Sequence, residues 1–303
     1  MAKSKSFFGK RRGSTKNFTF TVFNGQQVTK EKAESVKNPR TLAQMRNRMV
    51  LTTSSAAYAA MKEIVDHSFE GYTYGLQNMS RFQSLNNKLL RANIGAATPQ
   101  FAYCNYGDAQ LLPGAYIVSE GAASLISHEY NSVRVRDTNF AVEFGSLFFG
   151  NTVSADSCMQ SLGIAVGELA TFIAILPLSG GLGYRFVFLR ITALKAGNVA
   201  LTSDNLEEYF KIESNYPSQA VFNIEGKVSI NLNIGSVDTT AAYAWGCIHS
   251  KQSSSGWQRS SETLVVVNDG ALAPSSADAL TTYPVGTSYI LNDGDITGGH
   301  DTI

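Results

Sequence analysis

The stretch "VFNIEGKVSINLNI" (221–234) decides the fold class. Val228, Ile230, Leu232 and Ile234 alternate with Ser229, Asn231 and Asn233. A side-chain period of two marks a strand with one face turned to a core. Val221 and Phe222 precede the run, and Gly226 stands between the two segments, where a tight turn is expected. The pattern predicts a β-hairpin, and hairpins pair their strands antiparallel.

The same texture extends in both directions. "SVRVRD" (132–137) alternates Val133 and Val135 with Arg134 and Arg136. "FVFLRITAL" (186–194) follows a glycine turn, "SGGLG" (179–183). "AAYAWGCIHS" (241–250) and "ETLVVVN" (262–268) flank a Ser/Gly loop, "KQSSSGWQRSS" (251–261), and predict another hairpin. His249 reads as a partly exposed residue of that strand. One short helix is expected at "SDNLEEYF" (203–210), capped by Ser203 or Asp204. Short strands between turn signals predict a mainly antiparallel β-sandwich or barrel-like domain over residues 98–267.

The N-terminal third reads differently. Residues 1–16 are a basic arm without periodicity. "FTFTVF" (18–23) has strand period, and Asn24-Gly25 follows as a hairpin turn. Asn38 and Pro39 then signal a helix start. Leu42, Met45, Met49, Ala56, Ala60 and Ile64 recur at helical spacing, so a helix over 39–66 is predicted. A second helix is predicted over 78–93, with Phe82, Leu85 and Leu89 inward and Gly95 just past its end. The two helices would form an antiparallel hairpin. The whole is an α+β chain: arm 1–16, β-hairpin plus two-helix module 17–97, β-rich domain 98–267, and extended tail 268–303.

Composition narrows the function. Of 303 residues, 44% are hydrophobic but only 16% charged, which suits a β-rich body or a surface buried in an assembly. Net charge is +1 overall, yet residues 1–50 carry a net +10 and the remainder a net −9. A basic end on an acidic body points to a polyanion partner or to pairing between copies. Lys3, Lys5, Lys10, Arg11, Arg12 and Lys16 can neutralise phosphates without reading sequence. Phe7 and Phe8 interleave with them, and aromatic faces beside cations suit single-stranded bases. Arg40 and Arg48 carry the basic stripe onto the first helix. These ten residues are the candidate nucleic-acid contacts.

No enzyme signature is present. The sequence lacks a Walker loop, H-E-x-x-H, G-x-S-x-G and a complete G-x-G-x-x-G. His128 and Glu129 are adjacent, but neighbours on a strand face opposite ways. "NDGD" (292–295) lacks the rest of a calcium loop and reads as a turn. Cys104, Cys158 and Cys247 are odd in number and widely spaced, so they are expected as buried thiols, not as a metal site or disulfide framework. No cofactor or metal is expected. The most apolar run, "LGIAVGELATFIAILPL" (162–178), holds Glu168 and Pro177 and is too short for a confident membrane span. It reads as two buried strands or a core helix. No signal peptide is expected, because no apolar stretch of signal length follows the N-terminal charges.

The span from Gly9 to Arg48 resembles an uncharacterised family of proteins from Bacteroidetes bacteria and their phages. The shared opener is an aromatic strand, a turn, and V-x-N-P-x-T-x-x-Q-x-x-x-R, met here by Val36, Asn38, Pro39, Thr41, Gln44 and Arg48. "NMSRFQSLNNKLLRANIG" (78–95) and "SSSGWQRSS" (253–261) are also similar. The arm is longer here and the C-terminus richer in glycine. The resemblance implies a phage or mobile-element setting and carries over no functional residues. The resulting expectation is a non-enzymatic, homo-oligomeric virion or capsid-associated protein, without a membrane partner, whose arm contacts nucleic acid or a neighbouring subunit. The alternatives are a single-stranded-DNA-binding protein acting in the host cytoplasm, and an enzyme with a non-local site.

Overall fold

The structure, a computed structural model, describes residues 2–4, 13–14, 18–23, 26–31, 42–72, 75–94, 96, 98–104, 109–126, 132–145, 153–222, 227–254 and 256–272. The expected turns at Asn24-Gly25 and Gly226, the Asn38–Pro39 helix start, Gly95, the His128–Glu129 pair and the tail beyond 272 lie outside these residues.

Four strands open the chain: β1 (Ala2–Ser4), β2 (Gly13–Ser14), β3 (Phe18–Phe23) and β4 (Gln26–Glu31). They form one antiparallel sheet in the order β1-β4-β3-β2. The expected hairpin is its centre, and two pieces of the basic arm pair with its edges. Lys3 stands opposite Val28, and Gly13 opposite Phe20.

Helices α1 (Leu42–Val65) and α2 (Gly75–Asn93) follow. Tyr58 Oη donates to the Gly75 carbonyl at 3.0 Å, and Gln83 Nε2 donates to Ser55 Oγ at 3.0 Å. One helix therefore descends as the other rises, as an antiparallel hairpin. The buried stripe of α1 differs from the expected one. It runs through Met49, Thr53, Ala57, Met61 and Ile64, while Ala60 is exposed. Thr53 and Ser54 can be buried because their hydroxyls donate to the Met49 and Leu51 carbonyls, at 2.9 and 3.2 Å. In α2, Phe82 is fully buried and Leu85 and Leu89 only half-buried; Asn78, Asn86, Leu90 and Asn93 complete the inner stripe.

The remaining elements are β5 (Ile117–Ser119), β6 (Ser132–Val135), β7 (Asn139–Gly145), α3 (Ala155–Leu162), β8 (Leu169–Pro177), β9 (Tyr184–Ala193), α4 (Leu206–Tyr209), β10 (Phe210–Ser214), β11 (Ser218–Phe222), β12 (Lys227–Asn233), β13 (Tyr243–Ser253), β14 (Gly256–Arg259), β15 (Glu262–Thr263) and β16 (Val265–Val267). A central antiparallel sheet has the order β10-β9-β8-β13-β14, with β16 also on β13. A second sheet has the order β11-β12-β7-β6. The predicted β11–β12 hairpin is present, pairing Ser218 with Leu232 and Phe222 with Val228.

The two sheets face each other across a core of Phe140, Phe144, Ile230, Leu232, Phe172 and Leu189, closed by Cys158 and Leu162 of α3. This is sandwich packing rather than a closed barrel. The other face of the central sheet carries Ile173, Ile175, Phe188 and Ala244 against Tyr58, Met61, Phe82 and Leu90 of the helices. The fold is thus three layers: helical hairpin, central sheet, second sheet.

Burial on both sides explains the apolar run at 162–178. It is the end of α3 and then the single strand β8, apolar throughout because both faces are covered. Among the described residues no helix is long and apolar enough to cross a membrane. Ser154 caps α3 through a reciprocal pair with Ser157, and Gly163 ends it in the left-handed region (φ 67°). At the short helix α4 the cap is Asn205, not Ser203 or Asp204. Its side chain accepts from Thr202 N and donates to the Ala200 carbonyl, at 2.8 and 2.9 Å.

All three cysteines are buried free thiols, as expected. Burial pushes the Cys158 thiol up to about 12 and the Cys247 thiol well above its ordinary value. His249 is buried rather than partly exposed. Its Nδ1 donates to the Ser124 carbonyl at 2.9 Å, and its Nε2 lies 3.0 Å from Glu168 Oε2. A strand flanked by layers on both faces gives an imidazole no outward side, so it is accommodated by pairing both ring nitrogens.

Candidate nucleic-acid interface

The site is an outcome of strand register. Cross-strand partners, and residues two apart on one strand, share a face. On β9, Phe186 and Phe188 face the helical layer, so Arg190 and Thr192 do too. Register extends that face sideways: Arg190 pairs with Glu213 and Thr171, and Thr171 pairs with Ile248. The next row is Thr192, Leu169, Ser250 and Arg259, and the last pairs Gln252 with Trp257. One side of the sheet therefore changes character along its length. The end under the helices is apolar, and the end past them is polar, cationic and aromatic.

Helix α1 ends at Val65, and the following His67 and Ser68 form one wall of a cavity of about 250 Å³. Thr171 of β8 and Ser250 of β13 line it in the middle, with Arg190 of β9 to one side of them and Trp257 and Arg259 of β14 to the other. The expected loop at 251–261 is not a loop: β13 runs through Ser253, and Gly256–Arg259 return as β14. That strand pairing gives Trp257 and Arg259 fixed positions on one face. Gly256 opens β14 with φ 118°, a value that side-chain-bearing residues rarely adopt.

Each cation is held differently. The Arg259 guanidinium lies 5.3 Å from the Trp257 ring centroid, within cation–π range. Its Nε donates to the His67 carbonyl at 3.1 Å and its Nη1 to the Gln258 carbonyl at 3.3 Å. Two of its five N–H donors are thus engaged. No carboxylate among the described residues forms an ion pair with it. Glu70 instead accepts from the Arg259 backbone N–H at 2.7 Å and from Ala122 N at 3.1 Å, fixing the strand. Burial, and then the nearby Arg190 charge, lower the Arg259 pKa, with Glu70 opposing. Arg190 lies 5.9 Å from the Phe188 ring centroid and shares Glu213 with Lys211, at 3.3 and 2.7 Å. Those two cations hold the Glu213 carboxyl below its ordinary value, Lys211 contributing most.

Trp257 is 44% exposed. A large aromatic left open beside the Arg259 guanidinium can stack a planar group and meet an anion at once. Among the described residues no cluster of three or more His, Cys, Asp or Glu is placed to hold a metal.

Of the residues proposed from sequence, Lys3 lies in β1 and Arg48, half-buried, in α1. Lys5, Phe7, Phe8, Lys10, Arg11, Arg12, Lys16 and Arg40 lie outside the described residues. Arg48 does not join the cavity wall: it precedes Ile64 by 16 residues, about 24 Å along a helix rising 1.5 Å per residue. Sequence reasoning passed over Arg190, Trp257, Arg259 and His67. The available signal was the switch from Phe186 and Phe188 to Arg190 and Thr192 at unbroken period two.

No protein-family model matches the chain, and neither the curated proteins nor the solved structures contain a significant match.

Proposed function

We propose that this chain is a non-enzymatic phage or mobile-element protein that holds single-stranded nucleic acid without reading its sequence. The observation supporting it is the cationic, aromatic end of the helix-facing side of the central sheet. Stacking on an exposed ring contributes about 1–3 kcal/mol per base and is indifferent to base identity. Guanidinium groups add phosphate contacts, and the basic N-terminal residues would add more. The phage setting comes from the resemblance of the Gly9–Arg48 opener.

The test is fluorescence anisotropy with a labelled oligo(dT) over a salt series. Binding is expected to weaken steeply with salt. Glutamine at Lys3, Lys5, Lys10, Arg11, Arg12 and Lys16 together should flatten that slope, by roughly 0.7 for each phosphate no longer neutralised. An absence of binding at low salt overturns the proposal.

A virion structural role is the second reading. It is favoured by the charge split, since a net +10 segment and a net −9 remainder are complementary between copies. Mass spectrometry of purified particles, with sedimentation of the free protein, tests it. A protein that is absent from particles and monomeric at high concentration does not fit that role.

A further inference from the structure

We infer that the cavity between His67, Arg190, Trp257 and Arg259 is a mononucleotide site that seats one base on Trp257 and one phosphate between the two arginines. The inference rests on the nucleic-acid reading for its ligand class, but it makes a separate claim: a single nucleotide suffices, without a strand and without the N-terminal arm.

Size is the first argument. At about 250 Å³ the cavity falls just below the ~300–1,000 Å³ of typical small-molecule pockets, so it takes one residue of a polymer, not a folded segment. Charge is the second. Arg190 and Arg259 line one cavity, and the charge of Arg190 acts against that of Arg259. An anion between them converts this repulsion into two charge-assisted contacts. Preorganisation is the third. Arg259 is fixed through its side chain by the His67 and Gln258 carbonyls and through its backbone by Glu70, so little side-chain freedom is lost on binding. Chemistry is the fourth. Thr171 and Ser250 line the cavity between the strands that carry the two arginines, and hydroxyl side chains suit phosphate or sugar oxygens. A simple oxyanion would leave the Trp257 ring uncovered, whereas a nucleotide covers ring and charge together.

The protein's two tryptophans are Trp245 and Trp257, so Trp245→Phe leaves one reporter in the cavity. In the full chain carrying that change, AMP is expected to quench Trp257 fluorescence saturably. Adenosine should bind at least tenfold more weakly, and inorganic phosphate should compete with AMP. Arg259→Gln should weaken AMP about tenfold or more, and Arg259→Lys, which keeps the charge, should recover part of the loss. Circular dichroism confirms that each variant is folded. Equal binding of adenosine and AMP, or AMP binding indifferent to both Arg259 variants, overturns the inference. Oligo(dT) separates the two readings. If it binds through the N-terminal basic residues while AMP gives no saturable quench, the mononucleotide site is wrong and the proposed function stands. If AMP binds as described and oligo(dT) does not, the reverse holds.

Discussion

The helix-facing side of the central sheet has two ends built on the same strands with the same alternation. Under α1 and α2 it presents Phe186, Phe188, Ile173, Ile175 and Ala244; past the end of α1 it presents Arg190, Thr171, Ser250, Trp257 and Arg259. Backbone geometry does not distinguish the ends. Side-chain chemistry does, and it assigns them opposite tasks. The apolar end loses water to the helices and stabilises the fold. The cationic end keeps access to solvent, and its Arg259 guanidinium lies over the Trp257 ring while leaving that side chain 44% exposed. Substitutions at the first end should therefore cost stability and leave ligand affinity per folded molecule unchanged. Substitutions at the second should do the opposite.

The largest effect is expected at the covered end. Phe188→Ala removes a ring that is 4% exposed and should destabilise the fold by about 3–5 kcal/mol, read as a lower urea midpoint. Asn86→Ala comes next. The Asn86 amide donates to the Ile117 carbonyl at 2.9 Å and accepts from the Ile117 N–H at 2.8 Å, standing in for the strand that β5 lacks on that side. Its loss leaves two backbone groups unpaired and should cost about 2–3 kcal/mol. If either variant keeps wild-type stability, the helical layer is not what holds this end.

Legibility in the sequence followed the same division. Period two and turn residues located β3, β4, β6, β11 and β12, a glycine turn before an apolar run located β9, and helical spacing located α1 and α2. Reading apolar residues alone failed where polar ones are buried. Thr53 and Ser54 fold back on their own helix, Asn86 completes a strand, and His249 pairs both ring nitrogens between layers. None of these partners is near enough in sequence to be inferred, apart from those of the two hydroxyls. The candidate site was hidden for a related reason. Arg190 and Arg259 are 69 residues apart, and only the β9-β8-β13-β14 order brings them to one cavity. "GWQR" looked like a loop because its glycine and polar residues are those of a turn, and its strand character comes from pairing with β13.

At the open end, Trp257→Ala should weaken binding of a single nucleotide or oligo(dT) by about 1–3 kcal/mol. It should shift stability by no more than about 1 kcal/mol, since nearly half of the side chain is already in water. Thermal melts and anisotropy on the same preparation check both halves. A large stability loss with unchanged affinity would make Trp257 part of the fold and erase the contrast between the two ends.

The smallest expected effect tests Glu262, an acid packed against the central sheet. Glu262 and Leu264 lie over Gly246, where an added Cβ would come within 3.1 Å of Glu262 Oε1. Burial raises the Glu262 carboxyl to about 7, opposed by a hydrogen bond from the Cys247 backbone. An acid with a raised pKa in the folded state binds its proton more tightly there than in the unfolded chain. Its contribution is therefore most favourable at or below pH 4.5, declines as pH rises toward 7, and is flat above that. Because the group is only partly buried, the decline is about 1 kcal/mol, not the roughly 3 kcal/mol of the full shift. Glu262→Gln cannot ionise, so it should remove this decline. Relative to wild type, the variant should gain about 1 kcal/mol at pH 8 and little at pH 5, measured by urea denaturation at both. A gain of the same size at both pH values would trace the effect to packing against Gly246 and not to burial of charge.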